Sequence, residues 1–136
     1  MNQSVIWFCV SFLCIAILSS CSPRPVIILL NNSEAVVEVQ VDGTTRIKIN
    51  HGQQEKINDF FKYPTFKISI DRGTAKWIYD KTTWPPDNYW RGRNFSTIVK
   101  FQIEVTGYIY VLLPTEDFPL KDFTNQPPGF PLKPTQ

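Results

Sequence analysis

The fold of this chain is decided by residues 36–49, which read VVEVQVDGTTRIKI. Valine at positions 37, 39 and 41 alternates with Glu38 and Gln40, which is the period of a strand with one buried face. After Asp42 and Gly43 the alternation resumes, with isoleucine at 47 and 49 and basic residues at 46 and 48. An Asp-Gly pair between alternating runs is a strong hairpin signal, because both turn residues adopt positive φ. The segment therefore predicts an antiparallel hairpin closed by a two-residue turn.

Similar short strands are predicted on both sides of this hairpin. Apolar or alternating runs of strand length occupy residues 26–30, 65–71, 75–80, 97–105 and 108–113, while residues 55–61 fit either a strand or one helical turn. In the longest run the inward residues are Val99, Phe101, Ile103 and Val105, and the outward residues are Lys100, Gln102 and Glu104. Turn-forming residues separate the runs at 31–33, 50–53 and 71–74. About seven strands predict an all-β fold, a small antiparallel β-sandwich of immunoglobulin-like or transthyretin-like architecture, with a small barrel as the alternative.

The other segments flank these strands. Residues 22–25 hold two prolines and predict a short stiff tether. Five of the eleven prolines follow Pro114, so residues 115–136 predict an extended arm, on the surface or partly disordered, whose main role is to cover a sheet edge. The chain thus divides into an N-terminal segment at 1–20, a tether at 21–25, a β-sandwich domain at 26–114 and a C-terminal arm at 115–136.

The N-terminal segment carries a targeting signal. Its apolar run, residues 5–18, is shorter than the roughly 20 residues that a membrane-spanning helix needs. Leu18-Ser19-Ser20-Cys21 resembles the lipobox of bacterial lipoproteins, in which a cysteine follows a branched apolar residue and two small residues. The resemblance implies that residues 1–20 are a signal peptide that is removed, and that Cys21 is then diacylated through its sulfur. An ordinary secretory signal peptide is the alternative.

Composition limits the remaining chain. Removing 20 of the 136 residues leaves 116, enough for one domain with a hydrophobic core. Cys9 and Cys14 leave with the signal peptide, so the mature chain keeps only Cys21 and forms no internal disulfide. All 14 basic and 12 acidic residues follow the signal peptide, so the mature chain has a net charge of +2. The basic residues do not form a concentrated stripe. We therefore expect no nucleic-acid partner.

Residues that could carry catalysis are few. His51 is the sole histidine and fits an exposed turn. Without a second histidine or a free thiol, neither a zinc site nor a Cys-His nucleophile can be assembled. Turn or strand-like sequence, and no nucleophile elbow, surrounds Ser33, Ser69 and Ser96. The adjacent Glu116 and Asp117 have the chemistry for glycoside hydrolysis but are typical of a solvated surface. We expect no enzymatic activity, no metal and no cofactor.

One stretch, residues 84–93, departs from this plain pattern and reads WPPDNYWRGR. Long connections in compact domains are often functional, and aromatic and arginine side chains dominate binding hot spots. The candidate binding residues are Trp84, Tyr89, Trp90, Arg91 and Arg93. They could dock a protein partner or stack on the sugars of a glycan. Alternatively, Trp84 and Trp90 fold back and close one end of the sandwich.

We expect a lipid-anchored, non-catalytic protein of the bacterial cell envelope that binds or assembles with a protein partner at the membrane surface. The acyl chains on Cys21 make the membrane contact. Ser22 lacks the acidic retention signal of enteric lipoproteins, so the resemblance implies the outer membrane, facing the periplasm, in a cell with two membranes. A carbohydrate-binding module is the alternative, and an envelope enzyme ranks third. Matches to the N-glycosylation sequence at Asn31-Asn32-Ser33 and Asn94-Phe95-Ser96 leave a secreted eukaryotic protein as a further alternative.

Overall fold

The computed structural model describes residues 24–40, 46–58, 65–70, 76–80, 84–93 and 96–135. The lipobox, the Asp42-Gly43 turn, the turn at 71–74 and the second glycosylation match at Asn94 lie outside the described residues. Within the described ranges, no helix is long and apolar enough to span a bilayer.

The regular secondary structure of the described residues consists of strands and one 3-10 turn. The strands are β1 (Arg24–Asn32), β2 (Val37–Gln40), β3 (Arg46–Ile49), β4 (Gln54–Ile57), β5 (Thr65–Ile70), β6 (Lys76–Asp80), β7 (Arg91–Arg93), β8 (Ser96–Glu104) and β9 (Ile109–Leu112). The first sheet has the order β4-β1-β8-β7, with β9 also paired to β8, and the second has the order β3-β2-β5-β6. Buried side chains from both sheets form one core. The predicted all-β sandwich is therefore confirmed.

The hairpin that begins the second sheet forms between β2 and β3. Val37 and Val39 are fully buried and stand opposite Ile49 and Ile47. An uninterrupted ladder from a two-residue Asp42-Gly43 turn would instead place Val39 opposite Arg46. The observed ladder is offset by one residue from that register, and the turn itself lies outside the described residues. Directly opposed residues share a face, so the observed register is the one that turns both apolar sets toward the core.

The centre of the first sheet is the pair formed by β1 and β8, which run parallel along their whole lengths. This pair differs from the all-antiparallel expectation, since the two strands are far apart in sequence and no turn signal joins them. Strand β1 also begins earlier and ends later than predicted: Arg24 and Pro25 of the expected tether, and Asn31 and Asn32 of the expected turn, all belong to it.

The buried side chain of Asn31 ties β1 to the second sheet. Its amide nitrogen donates to the carbonyl oxygens of Ala35 (2.6 Å) and Ile49 (2.8 Å), and its amide oxygen accepts from both the backbone and the hydroxyl of Ser33. Asn31 and Ser33 are almost completely inaccessible to solvent. Glycosylation of Asn31 would break this network, because a glycan requires a surface position.

The C-terminal arm, residues 115–135, covers the outer edge of β9. Alternate backbone groups along that edge are paired, Leu113 with Glu116, Val111 with Gln126 and Ile109 with Leu132. The Gln126 side chain imitates a neighbouring strand: its oxygen accepts from the Val111 amide at 2.9 Å and its nitrogen donates to the Val111 carbonyl at 3.0 Å. The arm thus has the edge-covering role expected from its sequence. Near its end, the Thr135 amide donates to the Ile78 carbonyl of β6 at 2.7 Å, which joins the arm to the second sheet.

The arm also crosses the outer face of the first sheet. There Gln102, which alternation assigns to solvent, is fully buried. Its side-chain oxygen accepts from the Leu120 amide at 2.7 Å, and its nitrogen donates to Glu104 at 2.5 Å. Val105, predicted to face the core, lies just beyond the end of β8 and is 49% exposed. Alternation identifies the two faces of β8 but cannot show that a distant segment covers the second one.

The turn between β8 and β9 packs against β6 of the second sheet. Gly107 adopts a φ of +81°, and a Cβ atom there would lie 2.7 Å from the indole ring of Trp77. The hydroxyl of the fully buried Tyr79 donates to the Gly107 carbonyl at 2.6 Å. Burial raises the pKa of Tyr79 well above its usual value. This contact fixes one end of the sandwich.

Candidate binding surface

Residues 84–93 connect the second sheet to the edge of the first. The segment makes a 3-10 turn at Asp87–Tyr89 and then enters β7, which pairs with the start of β8. Two backbone hydrogen bonds hold the turn, from the Tyr89 amide to the Pro86 carbonyl (2.9 Å) and from the Trp90 amide to the Asp87 carbonyl (3.0 Å). The segment singled out as a long connection therefore ends in a strand at Arg91–Arg93, and hydrogen bonds hold the loop before it.

Two of the three aromatic side chains in this segment face inward. Tyr89 is buried, and its hydroxyl donates to the Asn125 carbonyl of the arm at 3.3 Å. Trp90 is half-buried against the core, and its indole nitrogen donates to the Pro85 carbonyl at 2.9 Å. Trp90 therefore packs inward as the structural alternative predicts, whereas that alternative did not include Tyr89. Neither offers a free aromatic face of the kind that a binding hot spot requires.

Trp84 is the outward aromatic residue of the segment, with 36% of its surface exposed. Its ring lies 6.4 Å from that of Trp90 and is tilted by 50° to it. The half-buried Trp90 therefore supports Trp84 from one side. The two rings do not form a flat platform.

The two candidate arginines lie in β7. Arg91 pairs with Ile98 of β8, and its side chain is exposed. Arg93 pairs with Ser96. Of the five candidates, Trp84 and Arg91 thus form the exposed part of the surface, whereas Tyr89 and Trp90 form its support.

Sequence reasoning missed Arg24, which it placed in the tether. Parallel pairing brings Arg24 opposite Ser96, whose other neighbour is Arg93. The signal that could have found it is the apolar run at 26–30, because a strand apolar on both sides belongs in the middle of a sheet. A central β1 has a strand neighbour on each side, β4 from Ile27 onward and β8 along its whole length, so β8 is the neighbour of its first residues.

The candidate catalytic groups that the structure describes are engaged in local contacts. The exposed His51 accepts a hydrogen bond from the Glu34 amide through Nδ1 (3.2 Å). Glu116 accepts from the Leu113 amide at 2.6 Å, and the exposed Asp117 lies 3.9 Å from Lys100. No cluster of three or more His, Cys, Asp or Glu residues in the described ranges could hold a metal ion.

A second surface feature lies at the opposite end of β1. A partly open groove of about 270 Å³ is lined by Leu30, Asn32, Gly52, Gln54, Phe118 and Pro119. The Asn32 amide donates to both carboxylate oxygens of Glu104, at 2.9 and 3.1 Å. On the neighbouring strand β9, partial burial and then the charge of Glu104 raise the pKa of Tyr110. The groove holds no pair of groups suited to acid–base chemistry, because its described carboxylate neighbour is already bound to Asn32.

Comparisons with known proteins give no further assignment: no family model, no curated protein and no solved structure matches the chain.

Proposed function

We propose that this protein is a lipid-anchored, non-catalytic component of the bacterial cell envelope that binds a protein partner at the membrane surface through Trp84. The anchor is the diacylated Cys21, as the lipobox resemblance implies. In a cell with two membranes it places the protein on the outer membrane, facing the periplasm. Anchoring restricts the search to the membrane surface, so a partner there requires only modest intrinsic affinity.

The observation that carries the partner-binding proposal is the fixed display of Trp84. Its loop is held by two backbone hydrogen bonds and rests on the half-buried Trp90. A loop already in its final conformation loses little entropy when a partner binds. Large aromatic side chains such as that of Trp84 are also among the residues that most often dominate binding energy.

A non-catalytic role is supported by the way the described candidate groups are used. The Ser33 hydroxyl bonds to Asn31, and Glu116 holds the end of β9. These groups stabilise turns and edges.

Carbohydrate binding remains the alternative function for the same loop. The exposed face of Trp84 can stack on one sugar ring. The 50° tilt between Trp84 and Trp90 does not favour a chain of sugars lying across both rings. Titration with envelope oligosaccharides, monitored by tryptophan fluorescence, separates the two functions. A glycan ligand would quench the fluorescence of Trp84 in the absence of any partner protein.

Site-specific photocrosslinking in native membranes tests the partner-binding proposal. A photoreactive side chain at the exposed Asn88 should yield a discrete adduct, and Trp84→Ala should abolish it. The matched control carries the same probe at Val105, which is exposed beyond the other end of β8. Adducts that survive Trp84→Ala, or that form equally well at Val105, would contradict the proposal.

A further inference from the structure

Three arginines lie together at one end of the first sheet. Arg24 and Arg93 stand on either side of Ser96, in adjacent strands. At about 4.8 Å between neighbouring strands, their backbones are about 10 Å apart. Arg91 is two residues further along, at the level of Ile98, and its side chain is exposed. We call Arg24, Arg91 and Arg93 the arginine set.

The same end of the sheet is the one nearest to Cys21. Three residue steps separate Cys21 from Arg24, and an extended chain covers at most about 11 Å over that length. Acylation of Cys21, on which this inference rests, therefore holds the start of β1 close to the lipid headgroups. Since β7 lies level with the start of β1, the whole arginine set shares this position.

We propose that the arginine set binds anionic phospholipid headgroups of the membrane that carries the acyl anchor, and so fixes the orientation of the sandwich on that membrane. Charge complementarity favours this occupant. The nearby segment 84–93 carries one acidic residue, Asp87, against two arginines, and Arg24 adds a third positive charge. Guanidinium groups also bind phosphate through two parallel hydrogen bonds.

This orientation determines where Trp84 lies. Trp90 precedes Arg93 by three residues, so at about 3.3 Å per residue it lies about 10 Å further from the anchored end. The Trp84 ring is 6.4 Å from that of Trp90. Trp84 consequently lies within reach of the membrane surface. The geometry selects partners that are themselves bound to the same membrane.

Vesicle binding by the unacylated chain tests this inference. All described contacts lie within residues 24–135, so a chain that begins at Ser22 keeps the whole described fold. This chain should sediment with phosphatidylglycerol vesicles and not with phosphatidylcholine vesicles, and raising the salt concentration should release it. Each basic residue near an anionic surface contributes about fivefold, the equivalent of about 1 kcal/mol. Changing all three arginines to Gln should therefore weaken binding about 100-fold.

The matched control is a variant with the same net charge and an intact arginine set. It replaces three exposed lysines elsewhere with Gln, namely Lys48, Lys56 and Lys121. The control should lose no more than a few-fold in binding, and circular dichroism should show that both variants keep the wild-type melting temperature. An equal loss of vesicle affinity in both variants would mean that binding depends on net charge alone, and would overturn the proposal.

Two further results would also overturn it. One is the absence of binding to phosphatidylglycerol vesicles. The other is a protein crosslink in native membranes that the triple arginine variant loses, when the wild-type chain shows no vesicle binding. That combination would mean that the arginine set contacts a protein and not a lipid. The proposed anchor fails separately: an unacylated Cys21 with intact vesicle binding would refute the anchor alone, whereas an acylated Cys21 without vesicle binding would refute the headgroup contact alone.

Discussion

Replacing Gly107 by Ala tests the packing between the two sheets. Gly107 lies in the β8–β9 turn of the first sheet, and Trp77 lies in β6 of the second. The added Cβ atom would stand 2.7 to 2.8 Å from three carbon atoms of the indole ring, closer than any normal contact. The backbone penalty for an alanine at positive φ is about 1–2 kcal/mol, and overpacking adds about 1–3 kcal/mol. Gly107→Ala should therefore lower the free energy of unfolding by about 2–5 kcal/mol.

The chain offers a matched control in Gly52. Its φ of +75° is close to that of Gly107, but a Cβ atom there meets nothing within 4 Å. Gly52→Ala should pay only the backbone penalty, about 1–2 kcal/mol. Urea denaturation at equilibrium measures both variants, and the difference of about 1–3 kcal/mol between them isolates the contact with Trp77.

A double-mutant cycle completes this test. In a Trp77→Leu background the ring is gone, so Gly107→Ala should cost no more than Gly52→Ala does. Equal costs for the two glycine variants in the wild-type background would refute the reasoning. That result would mean that the β8–β9 turn does not pack on β6 and that the sandwich does not close as described.

Three further predictions concern the loop, the core and the arm. Trp84→Ala should lower the free energy of unfolding by about 1 kcal/mol and Trp90→Ala by about 3 kcal/mol, because Trp90 also loses its bond to the backbone; thermal and urea melts check this, and equal costs would contradict the different roles of the two rings. Tyr79→Phe should cost about 1–2 kcal/mol at neutral pH. Because burial raises the pKa of Tyr79, the unfolded chain releases the phenolic proton first, near pH 10. The free energy of unfolding of the wild type should therefore fall above that pH by up to about 1.4 kcal/mol per pH unit. The Phe variant should show a shallower fall in urea melts at alkaline pH. Gln126→Leu should leave the Val111 amide and carbonyl unpaired, cost about 1–3 kcal/mol and promote self-association detectable by light scattering; the neighbouring change Asn125→Ala is the control, and a monomeric, fully stable Gln126 variant would show that the edge needs no cover.

The parts of the fold that follow from the sequence are those set by local alternation. The buried faces of β2 and β3 are an example, since side chains in a strand point alternately to either side. The valines at 37 and 39 and the isoleucines at 47 and 49 share a face only when an odd number of residues separates the paired positions, and the observed register meets this condition.

The parts that did not follow depend on segments far apart in the chain. Nothing near β1 or β8 indicates that they pair in parallel, and nothing near Gln102 shows that the arm buries it. For the candidate surface, composition selected residues 84–93 but could not separate Trp84 from Trp90. Which ring faces solvent depends on the position of β7 beside β8, and that in turn depends on the whole sheet.

The claim that this β-sandwich is anchored to a membrane through Cys21 is tested most directly by the intact mass of the protein from its native membrane fraction, compared with that of Cys21→Ser. The account predicts a mass equal to residues 21–136 plus acyl chains, and its loss in the variant. An unmodified mature chain released into the soluble fraction would contradict it.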